Sequence, residues 1–281
     1  MADHPPPSTI LVGGHESADG ADLVRLEAAL GGARAARPGR QFHNLVSEAL
    51  AGGGAVVVVP MTFGRDPTMV ADTAKTLSWL GAKHPGRLAL AAPFGTIDHL
   101  TARLRTAANA VRADDPDAAL VVVADRSNPF DEAELHRVAY LVATHGAADE
   151  ILPAIGDDGV AAVLARLRRL GVERSALIPA GFAATSGQDL GTPALSGARF
   201  AGPLMTDGAL VRVVRARIAA ALDDLAGGDD GIAAGLDADH GHGYAHSHAF
   251  EGNAHSHSHS HADGTTHTHD HEGLHAHVHA P

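Results

Sequence analysis

Residues 55–63 read AVVVVPMTF, and residues 174–182, RSALIPAGF, repeat their outline. In both, a short unbroken apolar run ends at a proline and an aromatic follows three positions later, so that Val59-Pro60-Met61-Thr62-Phe63 lies beside Ile178-Pro179-Ala180-Gly181-Phe182. A run this short, apolar at every position rather than at alternate ones, reads as a strand buried on both faces, which is the habit of a parallel sheet covered by helices. A second correspondence follows in the same order. Ala92-Pro93-Phe94-Gly95-Thr96 matches Gly202-Pro203-Leu204-Met205-Thr206, and each continues into a Leu/Arg-rich amphipathic segment.

Working outward, the first half predicts strands at 9–13, 55–60 and 88–92. Helices are predicted at 18–32 (Leu23, Leu26 and Leu30 at helical spacing), 43–51, 67–81 and 96–112. Residues 34–45 are too short for another strand and its loop. The second half predicts strands at 119–124, 150–153, 175–179 and 198–202, with helices at 130–144, 158–170 and 207–225. Strands alternating with helices give an α/β fold. Its expected form is two similar lobes, 1–115 and 116–226, each a parallel sheet flanked by helices, followed by a tail at 227–281.

That tail is the chain's second signature. Residues 240–281 hold fourteen of the twenty-one histidines. His255, His257, His259 and His261 alternate with Ser, His267, His269 and His271 with Thr and Asp, and His275, His277 and His279 with Ala and Val. Neutral imidazole favours Co, Ni, Cu and Zn over Mg and Ca. Gly, Ser, Ala and Asp between the histidines bury no core, so the tail is expected to be disordered and to bind several transition-metal ions loosely.

Composition excludes several classes. There are no cysteines, hence no disulfides, thiolate zinc sites or cysteine-held iron–sulfur clusters. The formal charge of −12 argues against nucleic acid as a partner. The N-terminus lacks a basic region followed by an apolar run, and no segment has the length of a membrane span. A cytoplasmic protein without membrane partners is expected. Gly13-Gly14 is neither a dinucleotide fingerprint nor a P-loop, so no organic cofactor is expected.

Function gathers at the carboxyl ends of parallel strands. His15 stands there after the first strand, between two glycines that permit a sharp exit and Glu16-Ser17. The loop after strand 55–60 carries Arg65 and Asp66 to the same sheet edge. His15 and Asp66 together make a sparse, open metal site.

Strand-Gly-His-Glu-Ser at 10–17, followed by strand-Pro-x-x-Phe-Gly-Arg-Asp-Pro-x-x-x-x-Asp at 55–72, resembles the class II tetrapyrrole chelatases, which include the sirohydrochlorin cobaltochelatases and ferrochelatases. Glu16 stands where that family usually has a second glycine, and Asp66 where it has a second histidine. His43 or Glu48 takes the space of an acidic residue common on the family's second strand. In the second lobe the motif becomes Ala124-Asp125-Arg126-Ser127, and Thr185 matches Asp66, so that lobe looks scaffold-like or substrate-binding.

The resemblance implies insertion of a divalent ion (Co2+ first, with Ni2+, Fe2+ or Zn2+ as alternatives) into a sirohydrochlorin-type tetrapyrrole, by a monomer or homodimer. It implies His15, Asp66 and His43 as metal ligands and His15 or Glu16 as the acceptor of a pyrrole proton. Arg65 and Arg126 are implied as contacts for the ring's carboxylates. The alternative is a metal carrier or storage protein on a degenerate chelatase scaffold, with the tail as its capacity.

Overall fold

The computed structural model describes residues 6–144, 150–156, 158–187 and 190–239, together with the backbone of 257–260 and 266–269. Residues 1–239 form one compact unit. The first sheet is built from β1 (Ser8–Gly13), β2 (Arg34–Ala36), β3 (Val56–Met61) and β4 (Leu88–Leu90), all parallel, in the order β2-β1-β3-β4. The second, from β5 (Ala119–Ala124), β6 (Ile151–Ile155), β7 (Ser175–Pro179) and β8 (Ala198–Phe200), repeats it as β6-β5-β7-β8, also parallel. The register repeats as well: Val12 pairs with Pro60, and Val123 with Pro179. The helices are α1 (Arg40–Ala51), α2 (Pro67–Gly81), α3 (Ile97–Asp114), α4 (Pro129–Ala143), α5 (Gly159–Arg169), α6 (Asp207–Ala226) and α7 (Ile232–Leu236).

The unbroken apolar strands are sandwiched, as their pattern requires. Ile10, Val12, Val56 and Val58 meet α1 and α2 through Phe42, Val46, Val70 and Leu77. Their neighbours Leu11, Val57 and Val59 face a core shared with Leu120, Val122, Ala176 and Ile178 of the second sheet. At the middle of that core the repeat-related Phe63 and Phe182 stack at 5.1 Å, with Phe94 edge-on to both at 5.2 Å. The long helices bind the lobes together. Helix α3 leaves the first sheet to pack on α4, and its end is tied to β8 by the ion pair Asp114–Arg199 at 2.8 Å. Helix α6 leaves the second sheet to pack on β3 and β4 of the first.

Three expectations need correction. The helix at 18–32 does not form. The chain reverses through Ala18, Asp19 and Gly20, all with positive φ (48°, 54° and 89°), and then winds two short 3-10 segments, Ala21–Leu26 and Ala28–Leu30. Leu23 and Leu26 are both buried, because a spacing of three aligns side chains in the tighter helix. The space between 34 and 45 does hold a strand, β2, although it is only three residues long.

The third correction concerns the tail's beginning. The body ends at Asp239 rather than at 226. After α6 the chain rounds the edge strand β4, where Leu90 N donates to Asp230 O at 2.8 Å. It then packs α7 on α2 with Ile232 buried. Gly231 is required there, since its φ is 70° and a Cβ would lie 2.2 Å from the Leu90 carbonyl oxygen. This strap covers an otherwise open sheet edge. A chain ended at 239 should therefore melt with the full protein. One ended at 226 should lose about 3 kcal/mol, a fall of roughly 6–12 °C in thermal unfolding followed by circular dichroism. Equal melting temperatures for the two truncations would contradict the strap.

Candidate metal centre

The loop after β1 turns at once. Ser17 N and Asp19 N both donate to Gly14 O at 3.0 Å, curling residues 15–17 into one 3-10 turn. Gly14 is pressed so closely on the β3–α2 loop that a Cβ would sit 1.9 Å from Asp66 Oδ2. In return His15 N donates to Asp66 Oδ2 at 3.2 Å. Asp66 is also the N-cap of α2, its Oδ1 accepting from Met69 N at 3.1 Å with Pro67 in the first helical position. The carboxylate's two oxygens are thus divided between helix start and site.

His15 Nε2 is the meeting point. It lies 3.8 Å from Asp66 Oδ2, 3.3 Å from Asp131 Oδ2 and 3.0 Å from the carbonyl oxygen of Arg65. Asp131 belongs to the other lobe, in the first turn of α4, whose N-cap Asn128 accepts from Phe130 N and Asp131 N at 2.9 and 3.1 Å. One ligand atom from each of His15, Asp66 and Asp131 falls within a common span of 4.8 Å. An ion bonded at about 2.1 Å to nitrogen and oxygen donors needs them roughly 3.4 Å apart. One imidazole and two carboxylates therefore fit a divalent transition metal with a coordination position to spare. Charge agrees. Among the described residues Glu16, Asp66 and Asp131 are buried with one guanidinium, that of Arg65, so that the ionised carboxylates leave two negative charges for a dication to cancel when His15 is neutral.

Burial opposes a charge on His15, but the Asp131 carboxylate bonded to it and the nearby Asp66 carboxylate outweigh that, so His15 titrates above the ordinary histidine value. Burial, with Asp131 beside it, likewise raises Asp66 in spite of His15. A proton competes with metal for the same nitrogen lone pair. Raised values extend that competition upward, so Co2+ affinity should climb with pH through and beyond the ordinary histidine range. A plateau reached below that range in metal titrations would contradict this.

The other predicted residues are distributed differently. Glu16 is committed to the β3–α2 loop: its carboxylate accepts from the Thr62 hydroxyl, from Phe63 N at 3.1 Å and from Arg65 N at 3.1 Å. Burial raises its pKa, against the pull of Arg65 and Thr62. With its oxygens so occupied it is a strut that positions Asp66, not a free proton acceptor. His43 is not brought to the centre. It sits on α1 next to buried Phe42, its ring 5.5 Å from that of Trp79, because α1 packs on the sheet face rather than at its carboxyl edge. Arg126 forms an exposed ion pair with Asp158 at 3.3 Å.

Arg65 is buried at 1% exposure, its Nη1 donating to Ala180 O of the second lobe at 3.2 Å. It lines a cavity of about 220 Å3 between the lobes, with His15, Glu16, Asp22, Asp125 and Gly181 among the other walls. The lobes touch backbone to backbone beside it. Phe182 N donates to Glu16 O at 2.9 Å, and a Cβ on Gly181 would come within 2.2 Å of that oxygen.

Asp131 was missed because its partner lies in the other lobe. The available signal was an acid in the first turn of a helix starting at the carboxyl end of β5, the repeat counterpart of the loop that carries His15. In the tail, His257–Ser260 (β9) pairs antiparallel with Thr266–His269 (β10), setting His257 opposite His269 and His259 opposite His267. His255, His261, His271, His275, His277 and His279 lie outside the described residues.

Among the described residues no helix is long and apolar enough to cross a membrane. No family model and no curated protein matches the sequence. Among solved structures, the chain is similar to SirB from Bacillus subtilis with Fe3+, at 13% identity and a TM-score of 0.48, over 80% of this chain and 99% of that one. It is also similar to DR2241 from Deinococcus radiodurans, described as a multi-domain protein with structural similarity to chelatases and two additional novel domains. That match has 16% identity and a TM-score of 0.43 over 76% of this chain, and the chain spans 54% of DR2241's length.

Proposed function

We propose that this chain is a metal chelatase, inserting a divalent transition metal, Co2+ foremost, into a carboxylate-bearing tetrapyrrole of the sirohydrochlorin type. The observation that carries the reading is the convergence of His15, Asp66 and Asp131 at the carboxyl edge of two parallel sheets, beside an open cleft. A protein that only stores metal gains by closing its coordination shell, whereas three donors with a position to spare suit an ion that must be handed on.

In this reading the metal is a substrate. His15 and the two aspartates present it to one face of the ring, while the ring gives up two pyrrole protons as its nitrogens take the metal. The ion's departure leaves the buried carboxylates and His15 with two uncompensated negative charges, and two protons restore the balance. His15 Nε2 is the acceptor best placed for the first of them, which is general-base work at the atom that held the metal. The histidine-rich tail then serves as a store of ions tethered to the enzyme, where covalent linkage gives a high effective concentration.

Residues 1–239 mixed anaerobically with sirohydrochlorin and Co2+, Ni2+ or Fe2+ in turn provide the test. Insertion followed by ring absorbance should outrun the protein-free control with at least one metal and revert to it in His15→Ala. Folded protein that accelerates none of them would leave the carrier reading in its place.

A further inference from the structure

Arg65 is the largest of the fully buried side chains among the described residues, and its guanidinium is left incomplete. Nη1 donates to Ala180 O at 3.2 Å, but Nε and Nη2 are buried without a hydrogen-bond partner among the described residues. Nη2 lies on the same side of the guanidinium as the Nε hydrogen, so these two donors form the edge that grips a carboxylate through two parallel bonds. Glu16 offers no remedy, since its oxygens serve Thr62, Phe63 and the Arg65 amide. Unmade bonds on a buried cation are costly enough to need an explanation.

The cavity that Arg65 lines holds about 220 Å3, below the roughly 300–1,000 Å3 of pockets that enclose drug-sized ligands. It is too small for a macrocycle and ample for one side arm. His15 lines it too, while Asp66 and Asp131 do not, so the cavity adjoins the metal centre through His15. On the reading that the chain is a chelatase, we propose that this cavity seats one carboxylate arm of the macrocycle, held by Nε and Nη2 of Arg65.

The surrounding charge sets the order of events. Asp22 and Asp125 also line the cavity, so its general field repels anions and the arm depends on direct contact with the guanidinium. The buried carboxylates, Glu16 beside Arg65 and Asp66 and Asp131 about His15, add to that repulsion until a dication occupies the centre. Metal should therefore bind first and make the seat attractive. Cation and carboxylate then bind with positive coupling, each raising the affinity for the other.

The test uses the full chain and uroporphyrin, a stable macrocycle whose arms end in carboxylates, against its neutral amide derivative. Binding is followed by fluorescence anisotropy within seconds of mixing, with saturating Zn2+ or with EDTA. The acid should bind more tightly with Zn2+ than with EDTA. Arg65→Met should weaken it by about 10- to 100-fold in Zn2+, as loss of a two-bond charged contact does. Arg65→Lys should recover part of that loss, and the amide should bind weakly to all three proteins. Equal acid binding by wild type and Arg65→Met, or tight binding of propionate alone, overturns the seat. The comparison of acid with amide on the wild-type chain decides the matter even if Arg65→Met fails to fold, equal binding of the two overturning it. Wild-type protein that still inserts metal while failing these tests loses only the arm seat. Failure of insertion removes the chelatase reading itself.

Discussion

His15→Ala in the chain ended at residue 239 should reduce Co2+ affinity by more than about 100-fold, and Asp131→Ala should cost at least about 10-fold. The scale follows from metal sites in which even the partners behind a ligand are worth 10- to 100-fold. His15 supplies the only nitrogen of the three donors and the atom from which both carboxylates are measured, at 3.3 and 3.8 Å. Asp131 makes the sharper test, because it asks whether the second lobe takes part at all. Asp125→Ala is the matched control. It removes an acid at the end of β5, six residues away in the same lobe, that does not belong to the donor group. Isothermal titration of the three variants should rank them His15→Ala, Asp131→Ala, then Asp125→Ala near wild type. Unchanged affinity in Asp131→Ala would reduce the centre to one lobe and remove its dependence on how the lobes dock.

Glu16→Ala should be the most destabilising single change at the centre, by about 3–5 kcal/mol, the usual consequence of stripping one partner from a buried charged network. The carboxylate satisfies two backbone amides and a hydroxyl of the β3–α2 loop, and it offsets the buried charge of Arg65. Its removal orphans all of them together. For a body of this size the melting temperature should fall by roughly 6–20 °C. Glu16→Gln keeps an acceptor oxygen and the shape, and should cost less than half as much. Thermal and urea unfolding of the two variants would check this. Equal, small losses would mean that the loop is held by packing instead. The metal site should suffer with the loop, since the same segment carries Asp66.

Much of this was legible in the chain. The strands at 119–124 and 175–179 and the helix at 67–81 have the limits their patterns predict, because a short continuous apolar run suits a buried strand, and Pro67 and Gly81 punctuate the helix. Pairing His15 with Asp66 needed only the rule that parallel strands deliver their following loops to one edge. The 18–32 segment misled, since leucines at 23, 26 and 30 satisfy an α-helix as readily as two 3-10 turns. What separates them is the reversal at Ala18, Asp19 and Gly20, whose positive φ values lie outside the right-handed helical region. The strap at 227–239 was overlooked because five residues of helix carry too little periodicity to register, and its stability comes from the groove it enters.

By itself the sequence determined two repeated parallel α/β lobes, a strand-end histidine and a store of imidazoles, since all of these are local patterns or internal echoes. Only the tertiary structure decided that Asp131 joins His15, that Glu16 braces a loop, and that Arg65 lies buried between lobes with one edge unpaired. Those facts depend on contacts between segments far apart in the chain. No local preference encodes them, because the exchanged packing of α3 and α6 and the stacking of Phe63 on Phe182 bring the two sheet edges face to face.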